Sequence, residues 1–241
     1  PHPFLQSLAP STSSGLVFST PLTGALRPLV VDHVVQGRVV FPGAGYLEVG
    51  RALHASDAGS LAPVMMHGVF FLQPLAMEAA DTRLECSLVG EQFEVRSSAA
   101  GDAADVHCSG SVRPGKAIGH ASHAHARRQH AKGASIAATY QSLHSSGLEY
   151  GPGYRALVQA WNGSDSSATA RLRQQMHTGG AVVVHPADVD GSLQLTRLAE
   201  GTRMQQTAET RLPFAVDGAR LSVGSSRLWA VANRHGEESA S

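Results

Sequence analysis

The sequence predicts an α+β fold built from two similar units, each a β-sheet packed around one long helix. Both halves are dominated by short segments rich in β-branched and aromatic residues and bounded by Gly, Pro, Ser or Asp, which is typical of strands. Each half also contains a segment of helical length, and a polar stretch separates the halves. The halves share no sequence identity, so element order alone predicts the duplication.

The first unit is predicted to contain five strands around one helix. The helix "AGYLEVGRALHA" lies between the first two strands, and Tyr46, Val49 and Leu53 fall at i, i+3 and i+7 on one face. Pro42 and Gly43 mark its start. Because this segment is apolar over most of its circumference, we expect other structure to surround it. The predicted strands are "GLVFSTPL", "GVFFLQPL", "TRLECSLV", "QFEVRSS" and "ADVHCSGSV".

The predicted boundaries place the first unit at residues 1–112, a linker at 113–134 and the second unit at 135–241. The linker contains "RPGKAIGHASHAHARRQHAKGAS", which is basic and poor in large apolar residues. In the second unit we expect helices at "TYQSLHSSG" and "DGSLQLTRLAE", and strands at "RALVQAWNG", "ATARLRQQM", "RLPFAV" and "SRLWAVAN". Further strands are expected to complete the second sheet, and the sequence leaves open whether the C-terminal end of this unit is truncated.

Composition argues against several functional classes. Lys and Arg together number 19, as do Asp and Glu, so no net charge favours binding to nucleic acid or to a membrane surface. No stretch approaches the roughly 20 apolar residues of a membrane helix, and "PHPFLQSLAP" lacks the pattern of a signal peptide. Cys86 and Cys108 are too few for a disulfide framework, so we expect a reducing interior and a cytoplasmic location.

His33 is the first candidate for chemistry. In "DHVVQGRVVFPGAGYLEVG" it forms the pattern H-x-x-x-G-x-x-x-x-P with Gly37 and Pro42. A histidine among valines is more often a buried structural residue than a catalytic one. This pattern, however, ends at a predicted helix N-terminus, whose free N–H groups suit a carbonyl oxygen that gains negative charge. A neutral imidazole in an apolar wall beside that oxygen can remove a neighbouring proton.

The second candidate is Asp190 in "VVVHPADVDGSLQ". Asp190 and Gln194 are separated by four residues, so they share a helix face if the helix begins at the aspartate. One interpretation is a helix-capping aspartate beside a solvated glutamine. The other is a carboxylic acid kept protonated by an apolar pocket, oriented by Gln194 and able to protonate a leaving hydroxyl. Asp188 competes with Asp190 for this role, and spacing alone does not decide between them.

The segment "GLEYGPGYRAL" carries Tyr150 in a turn forced by Gly151, Pro152 and Gly153. The phenol of Tyr150 can hydrogen-bond to a substrate or to a catalytic group. A surface turn with a half-buried tyrosine is the more common outcome for such a segment when it is seen alone.

A cluster of histidines in the linker is the one possible metal site that the sequence offers. The histidines have no interleaved cysteine or carboxylate, and Gly, Ser and Ala fill the gaps, so we expect adventitious affinity rather than a functional zinc site. The sequence contains no phosphate loop, no dinucleotide fingerprint and no G-x-S-x-G motif. The clustered residues are His120, His123, His125 and His130.

Taken together, these motifs resemble the dehydratase domain of type I polyketide synthases and of the related animal-type fatty acid synthases. The resemblance covers nearly the whole chain. It includes "HPFL" at the N-terminus, "DHVVQGRVVFPGAGYLE", "LQPL", "LEYGPGY", "HPADVDGSLQ" and "LPFAV". Each motif is weak alone, but their combination in this order is highly specific.

The resemblance implies a double hotdog fold, in which each of two curved antiparallel sheets wraps around a central helix. It also implies loss of water from a β-hydroxyacyl thioester that an acyl carrier protein presents on its phosphopantetheine arm. His33 would be the base and Asp190 the acid, Tyr150 and Gln194 would orient them, and the amide of Gly43 would bind the thioester oxygen. Further residues expected to shape the substrate site are Gly37, Pro42 and Pro152.

The resemblance further implies that no cofactor or metal is needed, and that neighbouring synthase domains and the carrier protein are the partners. A homodimer is plausible from family precedent and from the "HPFL" segment. Two alternatives stay open at this point. The same His and Asp pair can serve pyran-ring formation or a double-bond shift, or the domain can be a non-catalytic remnant that holds the assembly together.

Overall fold

The computed structural model describes residues 2–10, 15–78, 81–99, 103–116, 132–163, 167–173, 175, 182–199, 210, 212–222 and 228–233. Within these ranges the chain forms two larger antiparallel sheets and a two-stranded hairpin, and each larger sheet packs against one long helix. This is the arrangement that the sequence predicts. None of the helices in the described ranges has the length and apolar character that a membrane span requires.

The first sheet has seven strands. Their order is β1 (Ser7–Leu8), β2 (Leu16–Pro21), β6 (Arg83–Val89), β7 (Gln92–Ser98), β8 (Asp105–Pro114), β5 (Val64–Phe71) and β12 (Ala215–Leu221). All five strands predicted for the first unit are present, but β5 begins four residues earlier than expected. Gly68 has a positive φ of 54°, and the pairing with β8 shifts between His67 and Phe70, so this glycine marks a bulge inside the strand rather than its start. The remaining strands of the first unit are β3 (Val34–Val35) and β4 (Arg38–Val39).

Helix α1 (Gly43–Ala58) lies against β5, β6, β7 and β8. Pro42 is its N-cap residue, as predicted, and Gly59 ends it in the left-handed conformation with φ 60°. Tyr46, Val49 and Leu53 are almost fully buried, so the predicted apolar face is confirmed. The helix is therefore held in the concave face of the first sheet, with its N-terminus free to take part in a site.

The second sheet packs on α3 (Pro186–Ala199). Its strand order is β13 (Trp229–Asn233), β11 (Ser167–Leu172), β10 (Leu157–Asn162) and β9 (Lys132–Ala134). Helix α2 (Ile136–Ser145) lies between β9 and β10 in the chain. The last three residues of the predicted linker are therefore a strand, because pairing of β9 with β10 uses main-chain groups and needs no apolar side chain.

Two further findings differ from the sequence analysis. The helix expected to begin at Asp190 begins at Pro186, so Asp190 lies in the second turn and is not an N-cap. Strand β12 (Ala215–Leu221) belongs to the second half of the sequence but pairs with β5 in the first sheet. Strand β12 thus joins the second half of the sequence to the first sheet.

A buried ion pair on α1 also connects the two halves. The guanidinium of Arg51 donates two hydrogen bonds, of 2.7 and 2.8 Å, to the carboxylate of Glu48, and both side chains are at most 3% exposed. The same carboxylate accepts a 3.0 Å hydrogen bond from the backbone N–H of Val183 and contacts the ring of His2. Glu48 therefore ties the segment that leads into α3 to the core of the first unit.

We expect Glu48→Ala to lower the free energy of unfolding by about 3–5 kcal/mol, because it leaves the buried charge of Arg51 without its partner. Denaturant unfolding monitored by circular dichroism measures this loss. Glu78→Ala is the matched control, since it removes an exposed ion pair with Arg38 and should leave stability nearly unchanged. Equal losses in the two variants would contradict the assignment.

Candidate active site

A cavity of about 490 Å³ lies where the two units meet, and residues from both units line it. The predicted base, acid, orienting tyrosine and glutamine and helix-start glycine all face this one cavity. The residues that line it are His33, Val40, Phe41, Gly43, Tyr46, Phe71, Leu72, Gln73, Pro74, Leu143, Leu148, Tyr150, Asp190, Leu193, Gln194, Thr196, Arg197, Leu212, Pro213 and Phe214. Most are apolar, so the polar groups in the cavity are few and closely placed.

His33 is oriented by the hairpin of β3 and β4. Gln36 and Gly37 at its turn both have positive φ, 49° and 75°, as a tight two-residue hairpin turn requires. The hairpin returns the chain so that the carbonyl of Val40 lies 2.7 Å from Nδ1 of His33. Because a carbonyl can only accept, Nδ1 carries the proton and Nε2 is the basic nitrogen of the neutral ring.

Asp190 faces that basic nitrogen from the other unit. Its Oδ1 lies 3.8 Å from Nε2 of His33, and the two residues are only 4% and 5% exposed. Burial raises the pKa of the Asp190 carboxyl above its ordinary value, and this outweighs the opposing effects of the His33 charge and of hydrogen bonds from Gln194 and Tyr150. Asp190 is thus suited to be a protonated acid where a surface aspartate is ionised.

Asp188 does not share this environment. Its Oδ1 accepts a 3.2 Å hydrogen bond from the backbone N–H of Gln175, and it is not among the residues that line the cavity. Of the two aspartates that the sequence left open, Asp190 therefore faces the cavity and Asp188 does not line it.

Gln194 fixes the carboxyl of Asp190. Its Nε2 donates 2.8 Å hydrogen bonds to Oδ2 of Asp190 and to the carbonyl of Tyr154, while its Oε1 accepts a 2.9 Å bond from the hydroxyl of Tyr140. The predicted sharing of one helix face is confirmed. Tyr140 was not predicted as a site residue from the sequence. Its place in the predicted helix "TYQSLHSSG" was the only signal, because its contact with Gln194 depends on how α2 packs beside α3.

Tyr150 completes the polar part of the site. Burial, followed by the neighbouring Asp190 carboxyl, raises the pKa of its phenol well above the ordinary value, so it remains a neutral donor. Its ring centroid lies 5.6 Å from that of His33. The ring of Tyr154 lies 5.3 Å from His33 on another side, and its hydroxyl donates to the carbonyl of Leu29. Two aromatic rings therefore hold the imidazole in place.

Gly43 lies at the cavity wall, at the first residue of α1. The first N–H groups of a helix have no intrahelical partner, so this backbone offers hydrogen-bond donors and a partial positive charge to an occupant. A Cβ at this position would come within 3.3 Å of the ring of Pro213, so a side chain here would crowd the wall. The glycine keeps the helix start open to a ligand.

Three residues expected at the substrate site instead set the local backbone conformation. Gly37 forms the hairpin turn, Pro42 caps α1 and Pro152 lies exposed in the turn that follows Tyr150. None of them lines the cavity. Turn chemistry explains this result, because a hairpin, a helix start and a tight turn each need particular backbone angles.

Residues 212–214, which precede β12, also belong to the wall; they lie in the motif "LPFAV" and in a predicted strand, but no role at the site was predicted for them from the sequence. Leu212, Pro213 and Phe214 line the cavity together with Phe71 and Leu72 of the first unit. No group of three potential metal ligands occurs in the described ranges. The histidine cluster of the linker lies outside the described residues.

Comparisons with known proteins agree with this geometry. Residues 2–99 match the family model described as polyketide synthase dehydratase domain, and residues 118–241 match the one described as polyketide synthase dehydratase N-terminal domain. The chain belongs to the polyketide synthase dehydratase family.

Individual relatives support the same family. The chain is 28% identical over 230 residues to mycoketide-CoA synthase of Mycobacterium tuberculosis and 30% identical over 231 residues to the phenolphthiocerol synthesis polyketide synthase Pks15/1 of Mycobacterium bovis. These alignments cover 91% and 88% of this chain but only 5% and 10% of the relatives. The chain thus corresponds to a small part of each of them.

Solved structures support the double hotdog fold. The dehydratase domain from the CurK module of curacin polyketide synthase matches with a TM-score of 0.83 at 20% identity, over 98% of this chain and 88% of that one. A trans-AT polyketide synthase dehydratase domain from Brevibacillus brevis matches equally well at 24% identity, over 100% and 88%. The fold is a double hotdog, as the resemblance implies.

The raised pKa of Asp190 has a consequence for stability. A carboxyl whose pKa is raised in the folded state is harder to ionise there than in the unfolded chain. The resulting loss of stability is absent below the ordinary aspartate pKa of about 4 and grows as the pH rises from that value through the folded-state pKa. We expect Asp190→Asn to be more stable than wild type at neutral pH, with a difference that vanishes on acidification. Denaturant unfolding across a pH series measures it. A less stable variant at neutral pH would contradict the raised pKa.

Proposed function

We propose that this domain removes water from a β-hydroxyacyl thioester carried by an acyl carrier protein, and produces an α,β-unsaturated thioester. The observation that carries the proposal is the approach of His33 Nε2 to Asp190 Oδ1, 3.8 Å apart in one buried and mostly apolar cavity. A base and an acid on the same side of a thin substrate suit a syn elimination.

In the first part of the reaction, Nε2 of His33 accepts the proton from the α-carbon. The hydrogen bond from Nδ1 to the carbonyl of Val40 fixes the tautomer and stabilises the imidazolium that forms. The electrons of the broken C–H bond move towards the thioester carbonyl. The free N–H groups at the start of α1, at Gly43, are placed to bind the oxygen that becomes negative.

In the second part, the protonated carboxyl of Asp190 gives its proton to the β-hydroxyl, which leaves as water while the double bond forms. Gln194 donates a hydrogen bond to this carboxyl and Tyr150 lines the same cavity beside it, so both are placed to aim the proton. The products are an imidazolium and a carboxylate that face each other. Return of the proton from His33 to Asp190 restores the starting state, because burial favours the neutral pair.

The apolar wall supports the chemistry by excluding water. A dry cavity strengthens the hydrogen bonds and charges that act on the substrate and keeps Asp190 protonated. Two side chains and one helix start supply the proton transfers and the oxyanion site, so we assign no metal or cofactor to the reaction. The phosphopantetheine arm of the carrier protein is assigned as the carrier of the substrate.

Related structures lend support through their residue types. A His-to-Phe and an Asp-to-Asn form of the CurK dehydratase are both inactive mutants. At 22% identity these relatives establish the shared fold, and the same two residue types face each other in this cavity. Because the curated relatives are polyketide synthases far longer than this chain, we also propose neighbouring synthase domains as partners.

We expect His33→Ala and Asp190→Asn each to reduce the dehydration rate by at least about 10²–10⁴-fold, because each removes one of the two proton-transfer groups. Mass spectrometry of a carrier protein loaded with a β-hydroxyacyl chain detects loss of one water. His144→Ala and Asp57→Asn are matched controls, since both residues are exposed and lie outside the cavity. Turnover like that of wild type in either cavity variant would refute the assignment.

A further inference from the structure

Asp32 directly precedes the proposed base, and the mechanism above does not use its carboxylate. Its Oδ2 accepts a 2.6 Å hydrogen bond from the backbone N–H of Gly153, and its own carbonyl accepts a 2.8 Å bond from the N–H of Gly151. Both glycines belong to the turn that follows Tyr150. The segment that carries the base in one unit is therefore bonded to the turn that carries Tyr150 in the other.

The two glycines are required by this close approach. A Cβ on Gly151 would overlap the Asp32 carboxylate, and one on Gly153 would lie 2.8 Å from its Oδ2. Neither position can hold a larger residue unless Asp32 or the turn moves. The G-P-G sequence thus matches the space that Asp32 occupies.

The same turn is bonded on its other side to the helix that carries the acid. Nε2 of Gln175 donates a 2.6 Å hydrogen bond to the carbonyl of Gly153, and the backbone N–H of Gln175 donates to Oδ1 of Asp188. Asp188 lies two residues before Asp190 in α3. A continuous series of hydrogen bonds therefore runs from the residue before the base to the first turn of the acid-bearing helix.

We propose that Asp32 is a positioning residue that, through Gly153, Gln175 and Asp188, fixes the base, Tyr150 and the acid relative to one another across the two units. The expected change in rate rests on the proposed function, whereas the spacing between His33 and Asp190 that Asp32 controls is a property of the fold. Base and acid belong to different units, so their separation is set by contacts between units. A displacement near 1 Å can lower the rate about 10²-fold.

The kinetic test compares Asp32→Ala with Asp32→Asn. The asparagine keeps an oxygen that accepts from Gly153, whereas the alanine has none. We expect Asp32→Ala to lower kcat by roughly ten- to a hundredfold with KM changed less than about threefold, and Asp32→Asn to restore most of the loss. Exposed Asp57→Ala is the control that should match wild type.

A double-mutant cycle separates positioning from general destabilisation. Because Asp32 and Gln175 belong to one series of hydrogen bonds, Asp32→Ala should lower kcat little further once Gln175→Ala has broken that series. A fully additive loss in the Gln175→Ala background would overturn the proposal. An unchanged kcat in Asp32→Ala would overturn it as well.

A crystal structure of Asp32→Ala supplies a test that does not depend on turnover. We expect the turn after Tyr150 to shift and the separation of His33 Nε2 and Asp190 Oδ1 to change from 3.8 Å. Gln175→Ala, which removes the middle of the series, should give a similar shift if Asp32→Ala does not fold. Unchanged spacing in the folded variants refutes the positioning role, whereas an inactive wild type with the expected shift refutes only the proposed function.

Discussion

The burial of a carboxyl group opposite an imidazole, with Asp190 Oδ1 3.8 Å from His33 Nε2, is the constraint on which the rest of the site depends. Two charged groups at this position would each need strong compensation for burial, whereas the neutral pair needs only hydrogen bonds. The carbonyl of Val40 sets the tautomer of His33, and Gln194 orients the carboxyl of Asp190. Burial raises the pKa of the Asp190 carboxyl, and the proposed mechanism needs this carboxyl in its protonated form.

The architecture follows from the need to bring these two groups together from different units. Each central helix lies in the concave face of its own sheet, and the helices meet beside the cavity. Strand β12 pairs with β5, and Glu48 accepts a hydrogen bond from Val183 just before α3. These contacts between the halves hold two separately built units at a fixed spacing, on which the site depends.

Local sequence patterns predicted the parts of the site that depend on local geometry. The positions of Gly43 at a helix start and of Gln194 one turn after Asp190 follow from helix-start signals and helix periodicity. The hairpin that orients His33 was not predicted. The pairing of His33 with Asp190 came from the resemblance to a known family. The fold class could also be predicted from the sequence, because strand and helix patterns are distinct in both halves.

Long-range packing determined what the sequence analysis missed. Tyr140 reaches Gln194 only because α2 lies beside α3, and Asp32 reaches Gly153 only because the two units adjoin. The pairing of β12 with the first sheet has no local signal either, since an antiparallel edge accepts any strand of suitable length. Gly37, Pro42 and Pro152 were expected near the substrate. Instead, a hairpin turn, a helix start and a tight turn require these residue types for their backbone conformation.

The protonation state of Asp190 can be measured most directly by carbon-13 NMR of its side-chain carboxyl across a pH series, with Asp190→Asn used to assign the signal. We predict a titration midpoint clearly above the ordinary aspartate value of about 4. A midpoint at or below the ordinary value would show a carboxylate facing His33, and would contradict the neutral acid on which the mechanism rests.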